Sequence, residues 1–147
     1  MEHQRLGFKA LMYEHYEEAI THFSRVLSEK PDHHVVLFDR SRCFEALGCL
    51  QKACSDAQRC ATVKPDYGTG LAQLARVNER LGNIGSAMRA YVMAARCPEP
   101  DPEWAVQAER LRAELESIPC GGKDVGLTAP TILIPRKNNP QNNKTLC

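Results

Sequence analysis

The chain has 147 residues, the length of one domain, and its 43% apolar and 25% charged residues are ordinary for a globular protein. A net charge of +1 gives no electrostatic case for nucleic acid or an anionic lipid surface. No run approaches the roughly 18 apolar residues of a membrane span. The opening MEHQRLGFKALMYEHYEEAI has no uninterrupted apolar stretch of the signal-peptide kind. The seven cysteines form no C-x-x-C pair. Together these features lead to an expectation of reduced thiols in the cytoplasm, with the nucleus as the alternative.

A pattern recurs every 34 residues. Ala19, Ala53 and Ala87 fall on that period, as do Phe23, Ala57 and Tyr91, then Gly7, Ser41 and Ala75. Pro31 and Pro65 match, and so do Gly48 and Gly82. Small residues at two fixed places, an aromatic four after the second and a closing proline predict a pair of antiparallel helices per repeat. In the first repeat (1–33), Leu6, Ala10 and Tyr13 face a second helix over about Tyr16–Glu29, whose inward stripe is Ala19, Phe23, Val26 and Leu27. Pro31 stops that helix and Asp32 is placed to cap the next.

In the second repeat (34–66), Leu37, Phe44 and Leu47 point inward, Gly48 ends the helix, and Ala53, Ala57, Cys60 and Val63 carry the return. In the third (67–98), Leu71, Leu74 and Leu81 face in, Gly82 and Asn83 turn the chain, and Ala87, Tyr91 and Ala94 pack back. The proline-broken stretch from Cys97 to Pro102 precedes a last helix within 99–118, capped by Asp101 with Pro102 at its first position. Trp104, Val106, Ala108, Leu111 and Leu115 give it an apolar side, and its six Asp/Glu against two Arg suit a polar-backed solenoid cap. The front has no preceding residues to cap its first helix, so fraying is expected there. The stretch 119–147 is rich in Gly, Pro, Asn and Lys and is expected to be disordered, with Thr131–Pro135 its one apolar island.

Catalytic and metal chemistry find no footing. Cys43, Cys49, Cys54 and Cys60 are spaced 6, 5 and 6, wider than zinc-ligand pairs, and read as core residues. Cys120 and Cys147 read as exposed thiols without a catalytic role. His33 and His34 read as a solvated turn, and His22 follows Glu18 at surface-pair spacing. Gly68 and Gly70 are too sparse for a phosphate loop, and no hydrolase, zincin, Walker or dinucleotide motif occurs. The sequon at Asn143 and the terminal Thr145–Cys147 read as coincidental. No catalytic residue, cofactor or metal ligand is assigned.

The fold class so read is all-α: a right-handed superhelix of three helix-turn-helix repeats plus a C-terminal capping helix. The period with its small, aromatic and proline positions is the signature of tetratricopeptide repeats. The second and third repeats resemble those of co-chaperone tetratricopeptide domains of the Hop type. The matching phrases are Asp39-Arg-Ser41 with Phe44, Ala53-x-x-Asp56-Ala57, and Lys64 to Gly70, and the resemblance covers about residues 4–98. It implies a concave groove lined by the first helix of each pair. In that family five side chains there clamp the Glu-Glu-Val-Asp tail of heat-shock chaperones. Aligned on the shared glycines, the clamp places hold Gln4, Phe8, Asp39, Thr69 and Gln73, and none matches.

The groove expected on this alignment comprises Gln4, Phe8, Met12, Val35, Asp39, Arg42, Thr69, Gln73, Arg76 and Arg80. Its three arginines either grip a carboxylate or phosphate, or are solvated face residues. The function read from this is a non-enzymatic protein-interaction adaptor, with a chaperone cofactor of non-clamp mode as the alternative. Its expected partner is a protein or peptide, with a chaperone among the candidates, and not nucleic acid or membrane; the chain itself is expected to be a monomer. An enzyme or metal protein is the rival of a different class.

Overall fold

The computed structural model describes residues 1–119, and these contain seven α-helices and no strand. The helices are α1 (Glu2–Met12), α2 (Tyr16–Glu29), α3 (His34–Ala46), α4 (Leu50–Val63), α5 (Gly68–Arg80), α6 (Ile84–Ala95) and α7 (Pro102–Glu116). Each packs on its neighbour in sequence, and α3 also touches α5 directly. The sequence expectations for 120–147 lie outside the described residues.

The three predicted repeat positions form the seams between paired helices. Ala19, Ala53 and Ala87 have no exposed surface, and Gly7, Ser41 and Ala75 are buried opposite them. A Cβ on Gly7 would sit 2.5 Å from the Phe23 ring, so α1 can lie on that ring only without a side chain there. In the second repeat the Ser41 hydroxyl fills the equivalent place and donates to the Ala53 carbonyl at 2.8 Å. Every buried donor and acceptor among the described side chains is paired, as a low-dielectric interior demands.

The backbone repeats as closely as the sequence. The residues that open α2, α4 and α6 are His15, Cys49 and Asn83, with φ/ψ of −86/73, −84/66 and −87/69. Just before them, Gly48 and Gly82 have φ of +81 and +86, the left-handed conformation that ends their helices. Thirty-four residues earlier the same turn is made by Glu14 at φ +61, where a Cβ costs roughly 1–2 kcal/mol.

Arg40 stitches the first two repeats together. Its guanidinium binds both oxygens of Asp56 on α4, at 2.6 and 2.8 Å, and the Ser24 hydroxyl on α2 at 2.9 Å. Arg59 closes the same seam by donating to the Pro31 carbonyl. At the other end, α7 begins as predicted, with the Asp101 carboxylate accepting from the Glu103 amide. The Trp104 ring lies over Gly68, where a Cβ would approach it to 2.6 Å, while Leu111 and Ala108 are buried against the third repeat. Arg110 on α7 pairs with Glu79 on α5.

Several expectations are corrected. Tyr13 follows α1 and is 66% exposed, because the turn at Glu14 swings it off the helix face. The cap of α3 is His33, whose ring nitrogen accepts from the Val36 amide, and not Asp32, which is exposed. His33 is therefore no plain solvated turn: burial holds its imidazole below the ordinary range. The His34 ring packs edge-on against Tyr67. Val106 is 58% exposed, on the outer side of α7. Phe44, Leu47, Val63 and Leu81 are half-buried, and Val36, Cys43 and Val77 take the fully buried places instead. Among the described residues Cys43, Cys54, Cys60 and Cys97 are free thiols. Burial pushes the Cys43 thiol up to about 12 and Cys60 to about 11, which makes both poor nucleophiles.

The turn geometry gives a direct prediction. Glu14→Gly should stabilise the chain by about 1 kcal/mol, because glycine takes a positive φ without the Cβ clash. Thermal unfolding monitored by circular dichroism should show a raised midpoint; an unchanged or lowered one would contradict the left-handed turn.

Candidate peptide-binding groove

α1, α3 and α5 surround a cavity of about 790 Å³. Its two walls differ in kind. On the first repeat Phe8, Leu11, Met12 and Tyr16 make it apolar, with Glu14 at the rim. Phe8 is fixed edge-on against the buried Phe23 ring, with centroids 5.5 Å apart. Met12 is held by little and is 82% exposed. On the opposite wall stand Asp39, Arg42, Glu45 and Ala46 of α3, with Arg76 and Arg80 of α5.

The charged wall is built around Glu45. Its Oε2 accepts from Gln73 at 2.8 Å and from Arg76 at 3.1 Å, and its Oε1 lies 3.4 Å from Arg80. Arg80 also donates to the Glu45 carbonyl at 3.2 Å. Arg76 donates to the Gln73 amide oxygen, and Gln73 donates to the Ser41 hydroxyl, which in turn reaches the Ala53 carbonyl. One hydrogen-bonded chain thus runs from the α4 backbone to the groove surface. Burial pushes the Glu45 carboxyl up, but the bonds from Arg76 and Gln73, the charge of Arg76 and the bond from Arg80 outweigh it, leaving it below the ordinary range. At Asp39 the balance reverses. Burial raises its pKa, and the adjacent Arg42, 3.1 Å away, compensates only partly.

Of the residues expected to line the groove, the structure brings Phe8, Met12, Asp39, Arg42, Arg76 and Arg80 to the cavity. Gln4, Val35, Thr69 and Gln73 do not border it. Gln73 is 2% exposed and spends its amide inside the Glu45 network, so a groove role for it is corrected to an internal one. Thr69 is exposed at the start of α5, away from the cavity. Leu11, Glu14, Tyr16, Glu45 and Ala46 were missed. Extending the stripe 35, 39, 42 by one more turn reaches Glu45 and Ala46. Tyr16 lies beyond the turn, and no helical stripe points to it.

The seven-helix arrangement has clear counterparts among solved structures. It superposes on the Sgt2 TPR domain from Aspergillus fumigatus with a TM-score of 0.72, at 21% identity over 78% of each chain. The first TPR of Spaghetti (RPAP3), solved bound to the HSP90 peptide SRMEEVD, gives a TM-score of 0.73 at 17% identity, covering 78% of this chain and 91% of that one. The fold is a tetratricopeptide superhelix. In sequence, the chain is 33% identical over 76 residues to the Hsp70-Hsp90 organizing protein of Triticum aestivum. It is 27% identical over 95 residues to U-box domain-containing protein 70 of Oryza sativa subsp. japonica. These alignments cover 52% and 65% of this tetratricopeptide chain but only 13% and 12% of the two relatives, so the chain spans about an eighth of their length. No family model matches. The likeness to co-chaperone tetratricopeptide domains of the Hop type therefore holds in sequence and in fold.

The two carboxylates of the charged wall should respond oppositely to pH. Asp39 has a raised folded pKa, so its ionised form costs stability above about pH 4, and that cost disappears on acidification. Asp39→Asn should therefore raise the unfolding midpoint at pH 7 more than at pH 3. Glu45 has a lowered folded pKa, so its contribution is present at neutral pH and is lost as pH falls through the folded value. Glu45→Ala should cost about 1–3 kcal/mol at pH 7, chiefly from leaving the buried Gln73 amide short of its acceptor. Its deficit should shrink at pH 3. Denaturant titrations of both variants at the two pH values check all of this.

Proposed function

We propose that this chain is a non-enzymatic adaptor module that holds a peptide segment of a partner protein in its concave groove. The observation that carries this reading is the cavity between α1, α3 and α5, with one apolar and one guanidinium-lined wall. Its two buried carboxylates are committed to structural pairs, Asp39 with Arg42 and Glu45 with Arg76 and Arg80. The superposed RPAP3 domain holds an HSP90 peptide, which supports a groove ligand of the same general kind.

A chaperone cofactor is the second reading, supported by the likeness to the Hsp70-Hsp90 organizing protein. In that case the mode differs from the clamp its relatives use. Binding a terminal dicarboxylate in a groove requires cations and donors to replace lost water. The clamp places here supply a ring at Phe8, a carboxylate at Asp39, and an amide at Gln73 that faces inward.

Calorimetric titration with peptides ending in Glu-Glu-Val-Asp tests this. The unmodified chain should bind them more weakly than about 1 mM. A variant carrying Gln4→Lys, Phe8→Asn, Asp39→Asn, Thr69→Lys and Gln73→Arg should bind measurably. Salt-sensitive micromolar binding by the unmodified chain would overturn the non-clamp reading.

A further inference from the structure

Counted by formal charge, the groove is nearly neutral: three arginines face Asp39, Glu45 and Glu14. Counted by what a ligand can touch, the charged wall is cationic. The side chains of Arg42, Arg76 and Arg80 are 45%, 54% and 48% exposed, while those of Asp39 and Glu45 are 8% and 10% exposed. The carboxylates stand behind the guanidiniums and hold them in place. Arg42 bonds Asp39 through Nη1, and Arg80 bonds Glu45 through Nη1. Nε and Nη2 of both guanidiniums make no hydrogen bond to a described residue, so donors remain for a carboxylate. Across the same cavity lie Phe8, Leu11 and the 82%-exposed Met12, an adaptable apolar surface of the kind used for peptide anchors.

We propose that the groove selects an internal peptide segment pairing one carboxylate side chain with one large apolar side chain a few residues away. The carboxylate sits against Arg42 and Arg80, and the apolar side chain against Phe8 and Met12. This rests on the groove being the binding site. It differs from the terminal dicarboxylate clamp in position, since its cations Arg42 and Arg80 stand off the five clamp places, and in chemistry, using one charge and one apolar anchor. Glu45 and Asp39 are positioning residues that lower the orientational freedom of the arginines before the ligand arrives.

The test uses the full chain and a panel of capped, fluorescein-labelled nonapeptides in a Gly/Ser background, each with one Phe and one Glu separated by two to five residues. Parallel peptides replace Glu by Gln, Glu by phosphoserine, or Phe by Ser. Fluorescence anisotropy should show saturable binding for at least one spacing. The Gln and Ser peptides should bind about tenfold more weakly, and the Glu peptide should weaken with added salt. Arg80→Gln and, separately, Arg42→Gln should abolish the preference for Glu over Gln, and Met12→Ser should reduce the preference for Phe over Ser. A cooperative melting transition in each variant should show that it folds.

Equal binding of the Glu and Gln peptides, or tighter binding of the phosphoserine peptide than of the Glu peptide, overturns the proposal. Binding that depends on Phe and on Met12 but not on Glu overturns it while leaving the adaptor reading intact. Absence of binding by every peptide overturns it together with a groove role for Met12.

Discussion

The structure depends on how closely paired helices approach. At Gly7 the first helix rests on the Phe23 ring, at Ser41 a hydroxyl meets the Ala53 carbonyl, and the six repeat positions Gly7, Ala19, Ser41, Ala53, Ala75 and Ala87 are all buried. Larger side chains there would force the helices apart, and interiors packed at crystal density have no slack to absorb that. The aromatic position follows from the same constraint. Phe23 can lie under α1 because Gly7 presents no Cβ. Once the pair geometry is fixed, the equivalent turns adopt nearly identical dihedrals, and successive pairs stack as a solenoid in which each unit covers its neighbour.

Stacking alone does not lock neighbouring repeats in register, because apolar contacts are non-directional. Directional bonds do that here. Arg40 reaches from α3 to Ser24 on α2 and to Asp56 on α4. Loss of one member of a buried pair of this kind costs about 3–5 kcal/mol. Between the second and third repeats the equivalent link is the chain from Ala53 through Ser41 and Gln73 to Glu45. That second link ends at the groove. The same contacts that join repeats two and three also orient Arg76 and Arg80, so stability and recognition share residues on that wall.

Gln73 illustrates how a frame can be kept while its ligand chemistry changes. On the family alignment its position supplies a cation to the groove. Here an uncharged amide turns inward and satisfies Glu45 and Ser41. The exposed cations of α5 are Arg76 and Arg80, three and seven residues on. On a helix those positions lie on nearly the same face but one and two turns further.

The sequence by itself determined the helix pairs, their order and the seams, because a 34-residue period with small residues at two places is a local pattern with one good packing solution. Breaks at Pro31, Pro65, Gly48 and Gly82, and the cap at Asp101, were legible for the same reason: each is set by backbone chemistry within a few residues. The groove was half legible. Helical stripes placed Phe8, Met12, Asp39, Arg42, Arg76 and Arg80 on it. Spacing along one helix could not tell that Gln73 is buried, that Glu45 stands behind two arginines, or that Glu14 takes the turn two glycines make elsewhere. The first two are decided by side chains meeting from residues 28 to 35 positions apart. Only the tertiary structure sets which of two neighbouring charges reaches solvent and which is held behind it, because burial and hydrogen bonding compete at each site and the outcome depends on every helix packed around it.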